Sequence, residues 1–341
     1  MSLLLQLPTE IQFHILSYLG PEFFRQDVRR LRVSRLWYGI AWRIMVQDLR
    51  LTTGPLMKFT QERTVLARSQ AFVTSVQLSL WEFEAPRPSA RAAGRVAEPC
   101  SAENSDEWTV RLNSSWEALA TTLQGCPSLR RLRIEGPKGH PLDPRQQGIS
   151  FAKPLADLLS VGHLTHLEID TTGSSHSSPS VHLCRSIGAL LPKLRRLRCR
   201  MGSICEYLLE PQPTNDEPLQ LEEAILNLSL SELSETVTSY RYTKCCEPNR
   251  GGTFLQLKEA IETKATKLSR RLINPRVVRV ISHELPSLTM YAFDAPSGKR
   301  IRLRRGCLPW DTDGEVVYES DSADETDLFD SDSVSTPELV L

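Results

Sequence analysis

LRRLRIEG (residues 129–136), LTHLEIDT (164–171) and LRRLRCRM (194–201) decide how this chain folds. Laid over one another, they share one form: an apolar residue, two residues, a second apolar residue, one residue, a third. The triplets are Leu129, Leu132, Ile134; Leu164, Leu167, Ile169; and Leu194, Leu197, Cys199. VTSVQLSL (73–80) fits with Val73, Val76 and Leu78, and Leu221, Ala224 and Leu226 make a degenerate fifth copy. LPSLTMYAFD, from Leu285, reads as a sixth. Alternate residues of a strand point to opposite faces, so Leu132 and Ile134 share one face and Arg131 and Arg133 the other.

Segments with helical spacing lie between these strands: SWEALATTLQGCP (115–127), FAKPLADLLS (151–160) and VHLCRSIGALLP (181–192). Each unit is then a helix, a tight turn and a strand. One such unit cannot bury its own apolar face, whereas neighbours stacked side by side bury it together, which is the physical logic of a leucine-rich-repeat solenoid. The leucine starts are 35, 30 and 27 residues apart, so the array is irregular. A strong helix, TFLQLKEAIETKATKLSRRL (253–272), is expected to cover an end of the array or to continue it, with Phe254, Leu257, Ala260 and Ile261 as its buried stripe.

The first fifty residues have a different texture. Leu7, Ile11, Ile15, Leu16 and Leu19 fall on one helical face, and Gly20-Pro21 ends that helix. A second short helix is expected from about Phe23 to Arg32. Ser34 suits the cap of a third, lined by Trp37, Ile40, Ala41 and Ile44. The expected fold is therefore α/β. A three-helix unit (3–51) and a linker helix region (52–70) lead into an irregular leucine-rich-repeat-like solenoid with a parallel sheet (71–305). Residues 85–107 read as a disordered loop and 306–341 as a disordered acidic tail.

At 341 residues the chain is long for a single core. Formal net charge is zero, but from Asp311 onward there are eleven acidic residues and no lysine or arginine, leaving 41 basic against 30 acidic elsewhere. The start MSLLLQLPTE lacks the basic region of a secretion signal, and no run approaches the roughly 18 apolar residues of a membrane span. The eight cysteines contain no Cys-x-x-Cys pair. The expectation is a cytoplasmic or nuclear protein with reduced thiols and no membrane partner.

No phosphate-cradling glycine loop, nucleophile elbow or Cys/His metal spacing occurs. His163 and His166, three apart with Asp170 nearby, need more ligands to hold a metal and read as surface residues of a repeat. Cys245-Cys246 reads as two ordinary thiols. The expectation is no metal, no cofactor and no catalysis. RQDVRRLRVSR (25–35) has no interleaved aromatic platform, so it reads as the solvated face of two short helices and implies no nucleic acid. Arg130, Arg131, Arg133, Arg195, Arg196, Arg198 and Arg200 are expected on the open face of the sheet. Arg131, Arg133, Arg196 and Arg198 are the substrate-binding candidates there, for an acidic or phosphorylated ligand. Ordinary solubilising charge, or a contact with the acidic tail, are the competing readings.

LPTEI (7–11), ILSYL (15–19) and VRRLRVSRLW (28–37) together resemble the F-box, whose pattern runs Leu-Pro-x-Glu-Ile, Ile-Leu-x-x-Leu, then Leu-x-x-Val-Ser-x-x-Trp. The form YLGPEFFRQDVRRL followed by DLRL is similar to a fungal subgroup, with a longer link between the first two helices. The resemblance covers roughly 45 of the 341 residues. It implies a substrate-recognition subunit of an SCF (cullin-type) ubiquitin ligase. The F-box would dock on the Skp adaptor, and through it cullin, while the repeats hold a protein substrate for ubiquitin-dependent degradation. By matching position it implies Leu7, Pro8, Ile11, Leu16, Leu19, Val33, Ser34 and Trp37 as adaptor-binding residues. The alternative is an adaptor-bound scaffold acting outside a ubiquitin ligase.

Overall fold

The computed structural model describes residues 6–79, 102–136, 152–171, 182–212, 217–230, 242–246, 253–283, 289–303 and 315–317. At the N-terminus, α1 (Thr9–Gln26) is two helical segments meeting at Gly20, whose φ of 76° is open to glycine and strained for other residues. Pro21 then restarts the helix, where a missing N–H costs little. The second helix expected over 23–32 is divided. Its first part belongs to α1, and Val28–Leu31 forms a 3-10 turn capped by Asp27, whose carboxylate accepts from the Arg29 amide at 2.9 Å. Ser34 caps α2 (Arg35–Gln47) by accepting from the Trp37 amide at 3.1 Å. Leu16, Phe24, Leu31, Trp37, Ile40, Ala41 and Ile44 form a core of their own.

The chain then enters the sheet at once. β1 (Asp48–Thr52) is followed by α3 (Thr53–Gln61), α4 (Arg63–Ser69), β2 (Ser75–Ser79), α5 (Ala102–Gln124), β3 (Arg131–Glu135) and α6 (Ala152–Leu159). Next come β4 (His166–Thr171), α7 (Leu183–Leu190), β5 (Arg196–Met201), a 3-10 turn (Glu206–Leu209), β6 (Glu223–Asn227), α8 (Phe254–Ser269) and β7 (Val277–His283). β8 (Met290–Asp294), β9 (Lys299–Arg302) and β10 (Glu315–Val317) follow. Among the described residues these make one ten-stranded sheet in strictly sequential order. Strands β1 to β7 are parallel and β7 to β10 antiparallel.

The register explains the sequence pattern. Leu49, Val76, Leu132, Leu167, Leu197, Ala224 and Val278 form one cross-strand row, and Leu51, Leu78, Ile134, Ile169, Cys199, Leu226 and Val280 form the next. Both rows face the helices. Leu56 of α3, Trp116 and Leu119 of α5, Leu158 of α6, Ile187 of α7 and Ile261 of α8 join them in one continuous core. The leading residues Val73, Leu129, Leu164, Leu194 and Leu221 are buried there as well. Each fully buried Leu or Ile contributes roughly 1.5–3 kcal/mol, so these rows account for the stacking.

Three expectations are corrected. The sixth strand copy does not add a parallel strand. Six residues separate His283 from Met290, too few for a parallel crossover, so β8 returns antiparallel. The seventh parallel strand is instead β7, VVRVISH, whose β-branched run lacks the leucine triplet. The loop expected over 85–107 overlaps α5 from Ala102 onward, while 85–101 lies outside the described residues. Leu112, Trp116, Leu119 and Leu123 anchor the later turns of α5 in the core, and a nucleated helix propagates readily through Ala and Glu. Within the expected acidic tail, Glu315–Val317 pairs with β9, placing Glu315 opposite Arg302; the other residues of 306–341 lie outside the described ones.

Candidate functional site

The N-terminal unit divides its apolar residues between two duties. Leu7, Ile11, Leu19 and Val33 are exposed, as is Pro8. Tyr18 is 94% exposed, and Val28, Leu36 and Tyr38 also stand in solvent. Leu16 and Trp37 are corrected as contact residues. Both are buried in the unit's own core, and Trp37 Nε1 donates to the Arg30 carbonyl at 2.7 Å. Ser34 is occupied as the α2 cap. Gln12, buried beneath the first turn, donates from Nε2 to the Leu7 carbonyl at 2.8 Å, fixing the Leu7-Pro8 entry.

The open face of the sheet carries an arginine ladder that acidic neighbours neutralise. In register, Arg131, His166, Arg196 and Glu223 form one row, Arg133, Glu168 and Arg198 the next, and Glu135, Asp170 and Arg200 the third. Arg133 pairs with Glu135 and Glu168, at 2.5 and 3.2 Å. Arg196 and Arg198 share Glu223 Oε1, at 2.9 and 2.5 Å. Arg200 is bidentate on Asp170, at 2.9 and 2.6 Å. Arg131 and Arg133 are exposed and Arg196 half-buried, but Arg198 and Arg200 are buried. The reading of a uniformly open, positive face therefore fails at β5, because acids on β4 and β6 draw its arginines down onto the sheet. Burial pushes the Glu168 carboxyl up, opposed by Arg133 and Arg198. Burial and the Arg131 charge hold the His166 imidazole below its usual value. His163 is exposed, and His166 bonds Thr165 Oγ1 at 2.9 Å.

A third constellation is assembled by the fold alone. His182, Cys184, Cys205 and Cys246 bring one nitrogen and three sulfurs together, all within 4.8 Å of one another. His182 is the residue before α7, and Cys184 lies in its first turn. Cys205 precedes the 3-10 turn after β5. Cys246 lies two residues after Lys244, whose carbonyl accepts from the Ile204 amide at 2.9 Å. Their spacing, one, twenty and forty intervening residues, matches no compact ligand motif, so only the fold collects them.

No protein-family model matches this chain, and neither does any curated protein or solved structure. The class is thus defined by fold: an α/β chain with a mostly parallel, sequentially ordered sheet. No helix among the described residues is long and apolar enough to cross a membrane.

Proposed function

We propose that this chain is the substrate-recognition subunit of an SCF (cullin-type) ubiquitin ligase. In this reading an N-terminal F-box (3–51) binds the Skp adaptor, and a leucine-rich-repeat-like array holds a protein substrate. The carrying observation is the helical unit at the N-terminus. It has its own core, yet leaves Leu7, Pro8, Ile11, Leu19 and Val33, all at F-box pattern positions, in solvent. An apolar surface of this kind costs solubility unless a partner covers it.

The chain performs no bond chemistry in this reading. One end is fixed to the ligase and the other holds the substrate, so substrate lysines meet the ubiquitin-charged enzyme at high effective concentration. Arg131 and Arg133 are the exposed arginines of this face and the candidates to meet an acidic or phosphorylated substrate, which would compete with Glu135 and Glu168 for Arg133. Arg196 stands partly open beside them, while Arg198 serves to hold Glu223.

The test is purification of the full chain from cells with the proteasome blocked. Adaptor and cullin should both be recovered. Leu7→Ala/Pro8→Ala should reduce adaptor recovery by at least about tenfold, given roughly 1.5–3 kcal/mol for a buried leucine. Undiminished binding by that variant overturns the contact surface. Adaptor recovered without cullin supports the scaffold alternative instead.

A further inference from the structure

The geometry points to a structural zinc site: His182, Cys184, Cys205 and Cys246 form a four-ligand, tetrahedral Cys3His centre that clips residues 242–246 to the chain around α7 and β5. Its donor set is three thiols and one imidazole, the soft ligand combination that selects zinc over magnesium or calcium. Cys184 Sγ and Cys246 Sγ are 3.5 Å apart, and Cys205 Sγ is 3.1 Å from His182 Nε2. Zinc–sulfur bonds of about 2.3 Å and zinc–nitrogen bonds of about 2.0–2.1 Å at tetrahedral angles call for ligand separations of about 3.5–3.8 Å, close to these values. All four positions are filled by protein, so the centre has no open position for catalysis and its role is structural.

The surroundings are those of held ligands. The Cys205 amide points at Cys184 Sγ at 3.4 Å, an outer contact that orients a ligating sulfur. The His182 ring packs edge-on against Tyr207, with centroids 5.7 Å apart. Binding would release the thiol protons to solvent, leaving three thiolates and a neutral ring on the metal.

The clip has a purpose in the fold. Residues 242–246 run alongside the chain leaving β5. Within that segment, Thr243 donates from its amide to the Leu228 carbonyl and from Oγ1 to the Met201 carbonyl. Lys244 donates to the Gly202 carbonyl. A metal at Cys246 would add a bond between this segment, the start of α7 and the chain leaving β5.

The test uses the full chain, produced with zinc in the medium and purified under reducing conditions without chelator. Elemental analysis should find about one zinc per chain. Cobalt(II) added to the stripped protein should give the absorption of tetrahedral thiolate coordination. Cys205→Ser should lower zinc content at least about tenfold. Cys199→Ser, which removes a buried thiol outside the group of four, should leave zinc content unchanged. The cobalt spectrum of the unsubstituted chain decides the matter even if a variant fails to fold. A chain that carries no zinc and gives no cobalt–thiolate absorption while its cysteines are reduced overturns the site.

Discussion

Arg200 and Asp170 face each other across β4 and β5, and both are withdrawn from water. Their two hydrogen bonds offset the cost of burying the charges, so removing one partner is the costly change. Arg200→Ala should destabilise the protein by about 3–5 kcal/mol, because it strands a buried carboxylate. Arg200→Met/Asp170→Leu should recover most of that loss, since an apolar pair of similar volume leaves no charge behind. Urea unfolding of the three proteins measures this, and a single variant within about 1 kcal/mol of the parent would contradict it. At this scale the sequence was half legible. Alternation identified which residues point away from the helices. It could not say that Glu223 and Asp170 would tie down Arg198 and Arg200, because the pairing depends on cross-strand register.

Two helical glycines separate propensity from packing at the level of elements. In α2, Gly39 is exposed, and a Cβ there would meet nothing within 4 Å. Gly39→Ala should therefore raise stability by up to about 1 kcal/mol, as alanine's helix propensity predicts. In α7, a Cβ on Gly188 would lie 2.5 Å from the Tyr207 carbonyl oxygen and 2.6 Å from that of Glu210. Gly188→Ala should cost about 1–3 kcal/mol despite the same gain in propensity, because α7 must back away from the 3-10 turn. Thermal unfolding of both variants checks the opposite signs, and two shifts in the same direction would refute the packing argument. The close approach of α7 also positions His182 and Cys184 against Cys205. Helix existence was readable from leucine spacing, whereas this approach was not, because it joins residues nearly twenty apart through backbone contact.

Among the described residues, the two largest apolar cores are of unequal size. One is the seven-residue cluster of the N-terminal helices, and the other runs through the sheet and its helices from Val46 to Ala295. Met45 packs against both. A small core is the less stable. Amides of α1 and α2 should therefore exchange with deuterium faster than those of β3 to β6 in the isolated chain. They should slow when the proposed adaptor is bound, as mass action requires. Equal protection of the two regions in the free protein would show that they unfold as one unit.

The sequence by itself determined the repeating strands. They rest on periodicity, which is local: the spacing of leucines fixes which face of a strand or helix is buried wherever that element sits. Tertiary structure alone decided three things. It made β1 the first strand of the sheet and not only the end of the helical unit. It set the acids beside the arginines, so that a sheet face rich in positive residues became a largely neutral ladder. It also gathered His182, Cys184, Cys205 and Cys246 from three separated segments. The physical reason is the same in each case. Charge pairing and ligand clustering act over a few ångströms in space, and the residues that meet there are separated by tens of positions in the chain.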